Sequence, residues 1–379
     1  MQKIIVLGAG LVGKAIAIDL CRDFQVTSVD INPQSLEELS ANYSIRTIQA
    51  DLGDSQKIKE LIGDFDLVIG AVPGFMGFDT LKTVISCGKN IVDISFFDED
   101  RHDPFDLDKL ARDNDVTAII DCGVAPGMSN IILGYHDQRM EVESFECYVG
   151  GLPQVRTWPY QYKAPFSPID VLEEYTRPAR IREEGKVVVK PALSEPEYLE
   201  FEGVGTLEAF NTDGLRTLLK TVDVPNMKEK TLRYPGHIEY MKVLRESGFF
   251  DKTPLEIAGV KVRPIDLTAK LLFPKWKLES GEREFTVMRI SIEGAEQGIA
   301  VRYDYHLLDR FDESSGISSM SRTTGYTCAG AARLLLQKEF ARKGICPPEY
   351  LGAEEGCLTK LLQYFEARNI RYRVEKRGR

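Results

Sequence analysis

Three closely spaced glycines near the start of the chain could form a ligand-binding turn. Gly8, Gly10 and Gly13 follow the apolar run Lys3–Leu7 and precede a stretch with helical spacing, Lys14–Leu20. In this pattern the first glycine allows a tight turn, and the second lets a pyrophosphate approach the backbone. The third lets the helix pack closely on the sheet. Free N–H groups at the helix start would hold the phosphates. The pattern predicts a dinucleotide site, and a glycine-rich turn in an unrelated α/β protein is the alternative.

An acidic residue at the end of the second apolar run bears on the choice of dinucleotide. Asp30 follows Gln25–Val29, where a carboxylate accepts hydrogen bonds from a ribose 2′-hydroxyl and repels a 2′-phosphate. The next residues, Ile31 and Asn32, carry no positive charge. The sequence therefore predicts NAD rather than NADP. A helix N-cap is the alternative role for Asp30.

Further cofactor contacts are predicted in the glycine loop and at the ends of the next two apolar runs, because ligands of open parallel sheets bind at the carboxyl ends of strands. Asp51 would lie near the adenine. The small residues Gly70–Gly74 leave room for the nicotinamide half or form a tight turn. The additional predicted cofactor-binding residues are Ala9, Leu11, Val12, Asp51, Ala71 and Pro73.

The pattern of apolar runs, which predicts the strands and helices around these residues, changes along the chain. Apolar runs alternate with amphipathic segments as far as about Pro126, which predicts a doubly wound parallel sheet, the Rossmann fold. Longer alternating runs, such as Glu143–Val149 and Arg283–Glu293, predict an inserted α+β domain with a mainly antiparallel sheet. A helix at Gly325–Lys343 is predicted to return to the first domain. The predicted domains are residues 1–126, 127–322 and 323–379.

Composition excludes several classes of function. The formal net charge of −10 disfavours a nucleic-acid partner. Seven cysteines at irregular spacings, without a CxxC pair, predict neither a zinc site nor a disulfide framework, and reduced thiols favour a cytoplasmic protein. No apolar stretch reaches the length of about 18 residues that a membrane span needs. No metal site is expected.

A series of separated segments forms an ordered set of motifs along nearly the whole chain. They are Gly8–Gly13, Ala71–Phe75, Val92–Phe96, Asp121–Asn130, Tyr148–Pro153, Glu174–Ala179, Thr231–His237, Ser319–Gly325 and Gly344–Glu349. In these motifs the chain resembles the saccharopine dehydrogenase-like proteins and, within them, the L-lysine 6-dehydrogenases. So many motifs in one order are more specific than the glycine loop alone.

The resemblance implies a homo-oligomeric, NAD-dependent enzyme that takes a small amino-acid substrate. It implies oxidative deamination of the ε-amino group of L-lysine, or of a close diamino acid, to 2-aminoadipate 6-semialdehyde, which cyclises. Related saccharopine reductases usually use NADP and a secondary amine, and tend to carry an Asp at the position of Ala125. Ala125 and Asp30 thus favour the lysine reaction. The alternatives are a saccharopine or carboxyspermidine type of reductase using NAD(P)H, and a non-catalytic NAD-binding sensor.

Such a reaction needs a group that takes a proton from the substrate ammonium. His237 is the predicted proton acceptor or water-positioning residue, because the unperturbed pKa of histidine lies nearest neutrality. A helix-cap histidine is the alternative. Asp93 and Asp121 end the fifth and sixth apolar runs, where each would bind an ammonium, orient water or merely cap a strand end. Ser95 would assist by hydrogen bonding.

The substrate also needs groups that hold its α-carboxylate. Arg233 is the predicted bidentate clamp, with an ion pair at a domain interface as the alternative. Arg177 and Arg322 are further candidates for the same task. Gly150 would let the backbone approach the substrate closely, or would simply allow a bend in its strand.

Overall fold

Short strands alternate with helices in the first third of the chain, and long strands dominate its middle. The computed structural model describes residues 1–99, 101–279 and 281–378. Its strands are β1 (Lys3–Leu7), β2 (Gln25–Asp30), β3 (Ile45–Gln49), β4 (Leu67–Gly70), β5 (Ile91–Asp93), β6 (Thr117–Ile119), β7 (Glu141–Pro153), β8 (Ala179–Glu183), β9 (Lys186–Lys190), β10 (Glu197–Phe201), β11 (Gly205–Asn211), β12 (Asn226–Arg233), β13 (Leu255–Ile257), β14 (Val260–Val262), β15 (Glu284–Glu296), β16 (Ile299–Arg310), β17 (Gly344–Cys346) and β18 (Tyr372–Gly378).

The helices lie between these strands, and a 3-10 turn at Pro104–Leu107 precedes the fifth of them. None of the helices within the described residues is long and apolar enough to cross a membrane. The helices are α1 (Leu11–Leu20), α2 (Pro33–Asn42), α3 (Ser55–Ile62), α4 (Gly74–Ser86), α5 (Asp108–Asp113), α6 (Met128–Asp137), α7 (Pro168–Thr176), α8 (Leu218–Thr221), α9 (His237–Glu246), α10 (Pro264–Trp276), α11 (Ser319–Leu336), α12 (Pro348–Ala353) and α13 (Cys357–Glu366).

The first sheet is parallel throughout and has the strand order β17-β6-β5-β4-β1-β2-β3. The order reverses between β1 and β4, as in a doubly wound Rossmann sheet. Strands such as β4, in which every residue is buried, are apolar because helices cover both faces of the sheet. This arrangement confirms the predicted fold of the first domain.

The second sheet is mostly antiparallel and has the order β10-β11-β12-β7-β15-β16-β18. Its longest pair is the hairpin β15–β16, which pairs from Phe285↔Arg310 to Glu296↔Ile299. Gln297 and Gly298 connect the two strands with positive φ angles of 51° and 78°, as a tight hairpin turn requires. The second sheet and its helices confirm the predicted α+β class.

The chain divides into two units whose limits differ from the predicted ones. The first unit contains Met1–Glu141 and Met320–Arg371, and the second contains Val142–Ser319 and residues from Tyr372 onward. The first unit extends past the predicted limit at residue 126, since α6 packs against α12 within it. The predicted return of the whole segment 323–379 is wrong at its end, because the backbone of β18 pairs with β16. Arg379 lies outside the described residues.

The predicted helix at Gly325–Lys343 is shifted in the structure. It begins earlier and ends earlier, as α11, and Lys338 beyond its end has a left-handed φ of 60°. Within the first unit, α11 lies close to α1. A methyl group added at Gly325 would lie 3.3 Å from the carbonyl oxygen of Val12. The glycine therefore allows the two helices to touch.

A buried carboxylate joins α1 to the C-terminal helices of the first unit. Asp19 is fully buried and accepts hydrogen bonds from Arg368 Nη2 and Arg333 Nη2, each at 3.1 Å, and from the hydroxyl of Tyr364. Burial alone raises the pKa of Asp19, but the hydrogen bonds and positive charges of these partners outweigh it and lower the pKa. The folded first unit thus holds Asp19 ionised.

We expect Asp19→Asn to destabilise the first unit by about 3 kcal/mol, because it leaves two arginines without their shared buried carboxylate. Urea denaturation measures the change. Because the folded pKa of Asp19 is lowered, its contribution is present above the unfolded pKa of about 3.9 and is lost as pH falls through the folded pKa. Asp23→Asn, at an exposed partner of Arg333, is the control and should cost less than about 1 kcal/mol. Equal effects of the two variants would contradict the assignment.

Candidate functional site

The glycine loop between β1 and α1 places backbone where side chains have no room. Gly8 has a φ of +111°, and a methyl group added there would lie 2.3 Å from the carbonyl oxygen of Ala71. A methyl group on Gly13 would lie 2.2 Å from the carbonyl oxygen of Gly8. A methyl group on Gly10 would meet nothing within 4 Å. Two glycines therefore permit close packing, and the third leaves open space over the loop.

The start of α1 has free hydrogen-bond donors. Gly10 occupies the N-cap position, so no side chain caps the helix, and the first turn contains no acidic residue. The first N–H groups of a helix have no partner within the helix, and together with the helix dipole they attract anions. This end of α1, facing the open space at Gly10, fits a pyrophosphate.

Asp30 holds the loop as well as ending β2. Its Oδ2 accepts a hydrogen bond from the N–H of Ala9 at 2.6 Å, and its Oδ1 accepts one from the N–H of Asn32 at 2.8 Å. The cap of α2 is Asn32, whose side chain accepts from the N–H of Gln34. The helix-cap alternative for Asp30 is therefore wrong. Its two oxygens keep further lone pairs that would accept from a ribose hydroxyl.

The other predicted cofactor residues lie at the carboxyl edge of the first sheet or at the start of α1. Asp51 is exposed and accepts from the N–H of Gly53 at 2.8 Å. Ala71 and Val12 are half-buried, whereas Pro73 and Leu11 are exposed. Sequence reasoning missed Phe75, which is 80% exposed at the start of α4. An exposed aromatic ring at this edge is available to cover a flat ligand.

Asp93 and Ser95 form one hydrogen-bonded unit at the end of β5. The carboxylate of Asp93 accepts from the backbone N–H of Ser95 at 2.8 Å and from its hydroxyl at 2.9 Å. Both residues are buried. A methyl group on Gly70 would lie 1.9 Å from Oδ2 of Asp93. Glycine at that position therefore makes room for the carboxylate at the end of the neighbouring strand β4.

Asp121 begins the loop that follows β6. It is buried and has a left-handed φ of 50°. The next residue, Cys122, donates its backbone N–H to the carbonyl oxygen of Asp93 at 2.9 Å, so the ends of β5 and β6 are tied together. Burial, reinforced by the charges of Asp121 and Asp93, raises the pKa of the Cys122 thiol. The thiol therefore stays protonated, and the structure brings three predicted residues, Asp93, Ser95 and Asp121, to adjoining strand ends.

His237 is buried in the second unit with both ring nitrogens engaged. Nδ1 lies 2.8 Å from the carbonyl oxygen of Tyr160, and Nε2 lies 2.9 Å from the hydroxyl of Tyr175. A carbonyl only accepts, so Nδ1 carries the proton and Tyr175 donates to Nε2. Burial and the charge of Arg233 lower the pKa of His237 to about 3. This geometry gives no support to the predicted role of proton acceptor.

Arg233 is buried beside His237 and is already paired. It donates Nε to the hydroxyl of Tyr175 at 3.1 Å and Nη1 to the carbonyl oxygen of Leu232 at 2.9 Å. Its Nη2 forms an ion pair with Glu174. Burial raises the pKa of Glu174 although Arg233 opposes that shift. The predicted carboxylate clamp therefore holds a carboxylate of its own unit, and a substrate would have to displace Glu174.

The remaining predicted substrate residues have contacts of their own. Arg177 directly follows α7, and its Nη2 lies 3.7 Å from Oε2 of Glu173. Arg322 belongs to the first unit, where it donates to the carbonyl oxygen of Arg368 at 2.6 Å. A methyl group on Gly150 would lie 2.7 Å from the carbonyl oxygen of Leu232, so this glycine allows β7 to pack against β12. The described residues contain no cluster of three or more metal-ligating side chains.

Sequence reasoning missed the partners that fix these side chains. Glu174 and Tyr175, the partners of Arg233, lie inside the motif Glu174–Ala179. Glu349, to which the side chain of Asn130 donates, ends the motif Gly344–Glu349. Both motifs were therefore visible in the sequence. Which residue each motif contacts was not, because the partners are far apart along the chain.

The strand order, the glycine loop and the strand-end acid place the chain in the class of proteins that bind a pyridine dinucleotide. Two family models match it. The saccharopine dehydrogenase NADP binding domain matches residues 4–119, and the saccharopine dehydrogenase C-terminal domain matches residues 123–370. The chain belongs to the saccharopine dehydrogenase family.

Curated relatives are about a quarter identical to the chain over the aligned residues. The mitochondrial alpha-aminoadipic semialdehyde synthase of Bos taurus is 25% identical over 421 residues, which cover 92% of this chain and 45% of the relative. The chain thus spans about half the length of that relative. The NADP(+), L-glutamate-forming saccharopine dehydrogenase of Pyricularia oryzae is 23% identical over 424 residues, which cover 92% of this chain and 93% of the relative. The nearer likeness to L-lysine 6-dehydrogenases stays a prediction.

Solved structures share the fold. The apo L-Glu-forming saccharopine dehydrogenase of Saccharomyces cerevisiae superposes with a TM-score of 0.79 at 19% identity, covering 100% of both chains. The homospermidine synthase of Legionella pneumophila, solved with NAD, superposes with a TM-score of 0.69 at 12% identity, covering 100% of this chain and 91% of the other. At these identities the superpositions establish the fold alone.

The lowered pKa of His237 predicts a pH dependence of stability. The unfolded chain binds a proton at His237 below a pKa of about 6.5, whereas the folded chain does so only near the folded value. The wild type therefore loses stability as pH falls from 6.5. We expect its advantage over His237→Gln to shrink by about 2 kcal/mol between pH 6.5 and 4.5 in urea denaturation. His102→Gln, at an exposed residue of the first unit, is the control. A constant difference between wild type and His237→Gln would refute the neutral buried histidine.

Proposed function

We propose that the chain is an NAD(P)-dependent oxidoreductase acting on a carbon–nitrogen bond of a lysine-derived amino acid. The observation that carries the proposal is the open space over Gly10, directly at the uncapped start of α1. Membership of the saccharopine dehydrogenase family directs this dinucleotide site toward amino-acid chemistry. Fold by itself does not settle function, so the site and the family support the proposal together.

The residues present fit a dinucleotide. Backbone N–H groups from Gly10 to Gly13 would hold the pyrophosphate, and Asp30 would accept from the adenosine ribose. When bound, the nicotinamide accepts or donates a hydride. The exposed side chains of Leu11, Ile31 and Phe75 would pack against the rings of the ligand.

We propose NAD as the preferred dinucleotide. Hydrogen bonds from Ala9 and Asn32 fix the carboxylate of Asp30 in place, so it cannot swing away from a 2′-phosphate that it repels. Two names favour NADP instead. The matching family model is an NADP binding domain, and the name of the Pyricularia oryzae relative contains NADP(+). The two cofactors therefore have to be compared directly.

We expect Asp30→Ala to lower the ratio of kcat/KM with NAD to kcat/KM with NADP by about 10- to 100-fold, because a charge-assisted hydrogen bond contributes about 1.5–3 kcal/mol. Initial-rate kinetics with each cofactor measure the ratio. Asp64→Ala, an exposed acid at the opposite edge of the sheet just before β4, is the matched control. An unchanged ratio in Asp30→Ala would remove this residue from the ribose site.

Two substrates are candidates. The name of the Pyricularia oryzae relative favours a secondary amine of the saccharopine type, oxidised at a CH–NH bond. Free L-lysine, oxidised at a CH–NH2 bond, is favoured by Ala125, because the resemblance gives saccharopine reductases an Asp there. In either case the substrate amine must lose a proton. Asp93 and Asp121 are the acids of the first unit proposed to accept it or to orient water.

An assay with a panel of amino-acid substrates distinguishes these two candidates. NAD or NADP is incubated with L-lysine, saccharopine and other diamino acids, while absorbance of the reduced cofactor and release of ammonia are followed. We expect turnover of saccharopine without ammonia for a CH–NH enzyme, or of L-lysine with stoichiometric ammonia for a CH–NH2 enzyme. Binding of the dinucleotide without turnover would instead indicate a non-catalytic sensor. A chain that binds neither dinucleotide would overturn the proposal.

A further inference from the structure

Two motifs that are far apart in the sequence meet in one buried hydrogen-bond chain. The side-chain Oδ1 of Asn130 accepts from the backbone N–H of Gly127 at 3.2 Å and from the hydroxyl of Ser129 at 3.1 Å. The Nδ2 of Asn130 donates to Oε2 of Glu349 at 3.2 Å. Asn130 and Ser129 are fully buried and Glu349 is 2% exposed. A polar group so deeply buried is costly unless it is hydrogen-bonded, so this chain fixes the orientation of the Asn130 amide.

The loop that Asn130 holds is a closed ring. The N–H of Gly123 donates to the carbonyl oxygen of Pro126 at 3.1 Å, and the N–H of Met128 donates to the carbonyl oxygen of Gly123 at 2.9 Å. Gly127 has a φ of +131°, and a methyl group there would lie 1.9 Å from the carbonyl oxygen of Gly123. The backbone hydrogen bonds of its two neighbours and this close approach join Gly127 to Gly123, so a shift of Gly127 would be passed on to the rest of the loop.

The tip of this ring is the part that faces outward. Ala125 and Pro126 are half-buried, whereas the other residues from Asp121 to Asn130 are buried. The ring follows β6 at the carboxyl edge, beyond β4 and β5 from the glycine loop. That half of a doubly wound sheet carries the second mononucleotide of a dinucleotide. The tip therefore lies on the side where the nicotinamide and the reacting carbon would sit.

Glu349 is anchored firmly at the start of α12. A methyl group on Gly134 of α6 would lie 2.1 Å from the carbonyl oxygen of Glu349, and one on Gly352 would lie 1.9 Å from the carbonyl oxygen of Ile131. The two helices therefore touch backbone to backbone. The carboxylate reaches Asn130 from a support that cannot move without breaking this contact.

We propose that Asn130 and Glu349 are positioning residues. They fix the position of the Ala125–Pro126 tip at the carboxyl edge of the sheet for hydride transfer. The proposal rests on the function proposed above. A cap of α6 would need only the Asn130 oxygen, whereas the bond from Nδ2 to Glu349 ties the loop to the C-terminal segment. We call the hydrogen bond between Asn130 and Glu349 the tether. A misplacement of about 1 Å at an active site costs about 100-fold in rate. Loss of the tether should therefore lower kcat and leave dinucleotide affinity unchanged.

The test exchanges the two polar partners. Asn130→Asp places two carboxylates against each other. Adding Glu349→Gln restores the three side-chain hydrogen bonds of residue 130, because the new amide donates to the new carboxylate, which still accepts from Gly127 and Ser129. The net charge also returns to that of the wild type. Ile131→Val, one residue further along α6, is the matched control. It removes one buried methyl group from the same helix and leaves the side chains of Asn130 and Glu349 unchanged.

We expect Asn130→Asp to lower kcat about 100-fold while the Kd for NADH changes less than about 3-fold. In the double variant kcat should return to within about 10-fold of the wild type, because the coupling of neighbouring residues is recovered. Ile131→Val should retain its kcat. A double variant no better than Asn130→Asp, or an equal loss in Ile131→Val, would overturn the proposal. If Asn130→Asp does not fold, Asn130→Ala replaces it, with an expected loss in kcat of at least about 10-fold at unchanged NADH affinity.

Hydrogen–deuterium exchange at the Gly127 amide separates this proposal from the proposed function. Exchange should be faster in Asn130→Asp, because repulsion between the new carboxylate at position 130 and that of Glu349 moves the acceptor away from the Gly127 N–H. It should return to the wild-type rate in the double variant, where that repulsion is absent. If the wild type turns over no amine substrate but the three proteins show this exchange pattern, the proposed function is wrong and the tether is supported. Equal exchange rates in all three proteins would overturn the tether, whatever the activity.

Discussion

The first unit depends on a close approach between backbones that only glycine permits. Gly8 and Gly13 leave no room for a methyl group against Ala71 and against each other. As a result, the start of α1 lies directly over the ends of β1 and β4. Gly10, in the same loop, faces open space. The same constraint therefore both packs the sheet and leaves donors available to phosphates, and Asp30 stabilises it through the N–H of Ala9.

The C-terminal segment completes this unit through buried polar contacts as well as apolar ones. Asp19 of α1 is ionised because Arg333 and Arg368 reach it from α11 and from just beyond α13. At the other end of the sheet, Glu349 reaches Asn130. Each contact joins residues more than two hundred positions apart along the chain. The elements that carry the dinucleotide loop and the loop after β6 are thus both braced from the end of the chain.

In the second unit, burial determines the charge of the groups that sequence reasoning singled out. His237 stays neutral because burial and the neighbouring guanidinium of Arg233 disfavour its protonated form. Arg233 stays charged and is neutralised by Glu174. Tyr175 links the two, accepting from Arg233 and donating to His237. These residue types suggested acid–base chemistry, and the structure makes them a fixed network.

The parallel sheet, the glycine loop and the acid at Asp30 are predictable from the amino-acid sequence alone, because these depend on local apolar periodicity and on spacings of a few residues. The sequence also contains the motifs that meet in the structure. The folded chain is needed to show that β18 joins the second sheet, that Asn32 and not Asp30 caps α2, and that Glu174 pairs with Arg233. The contact of Asn130 with Glu349 likewise emerges only on folding. Those outcomes depend on burial and on partners distant along the chain, and neither can be read from spacing.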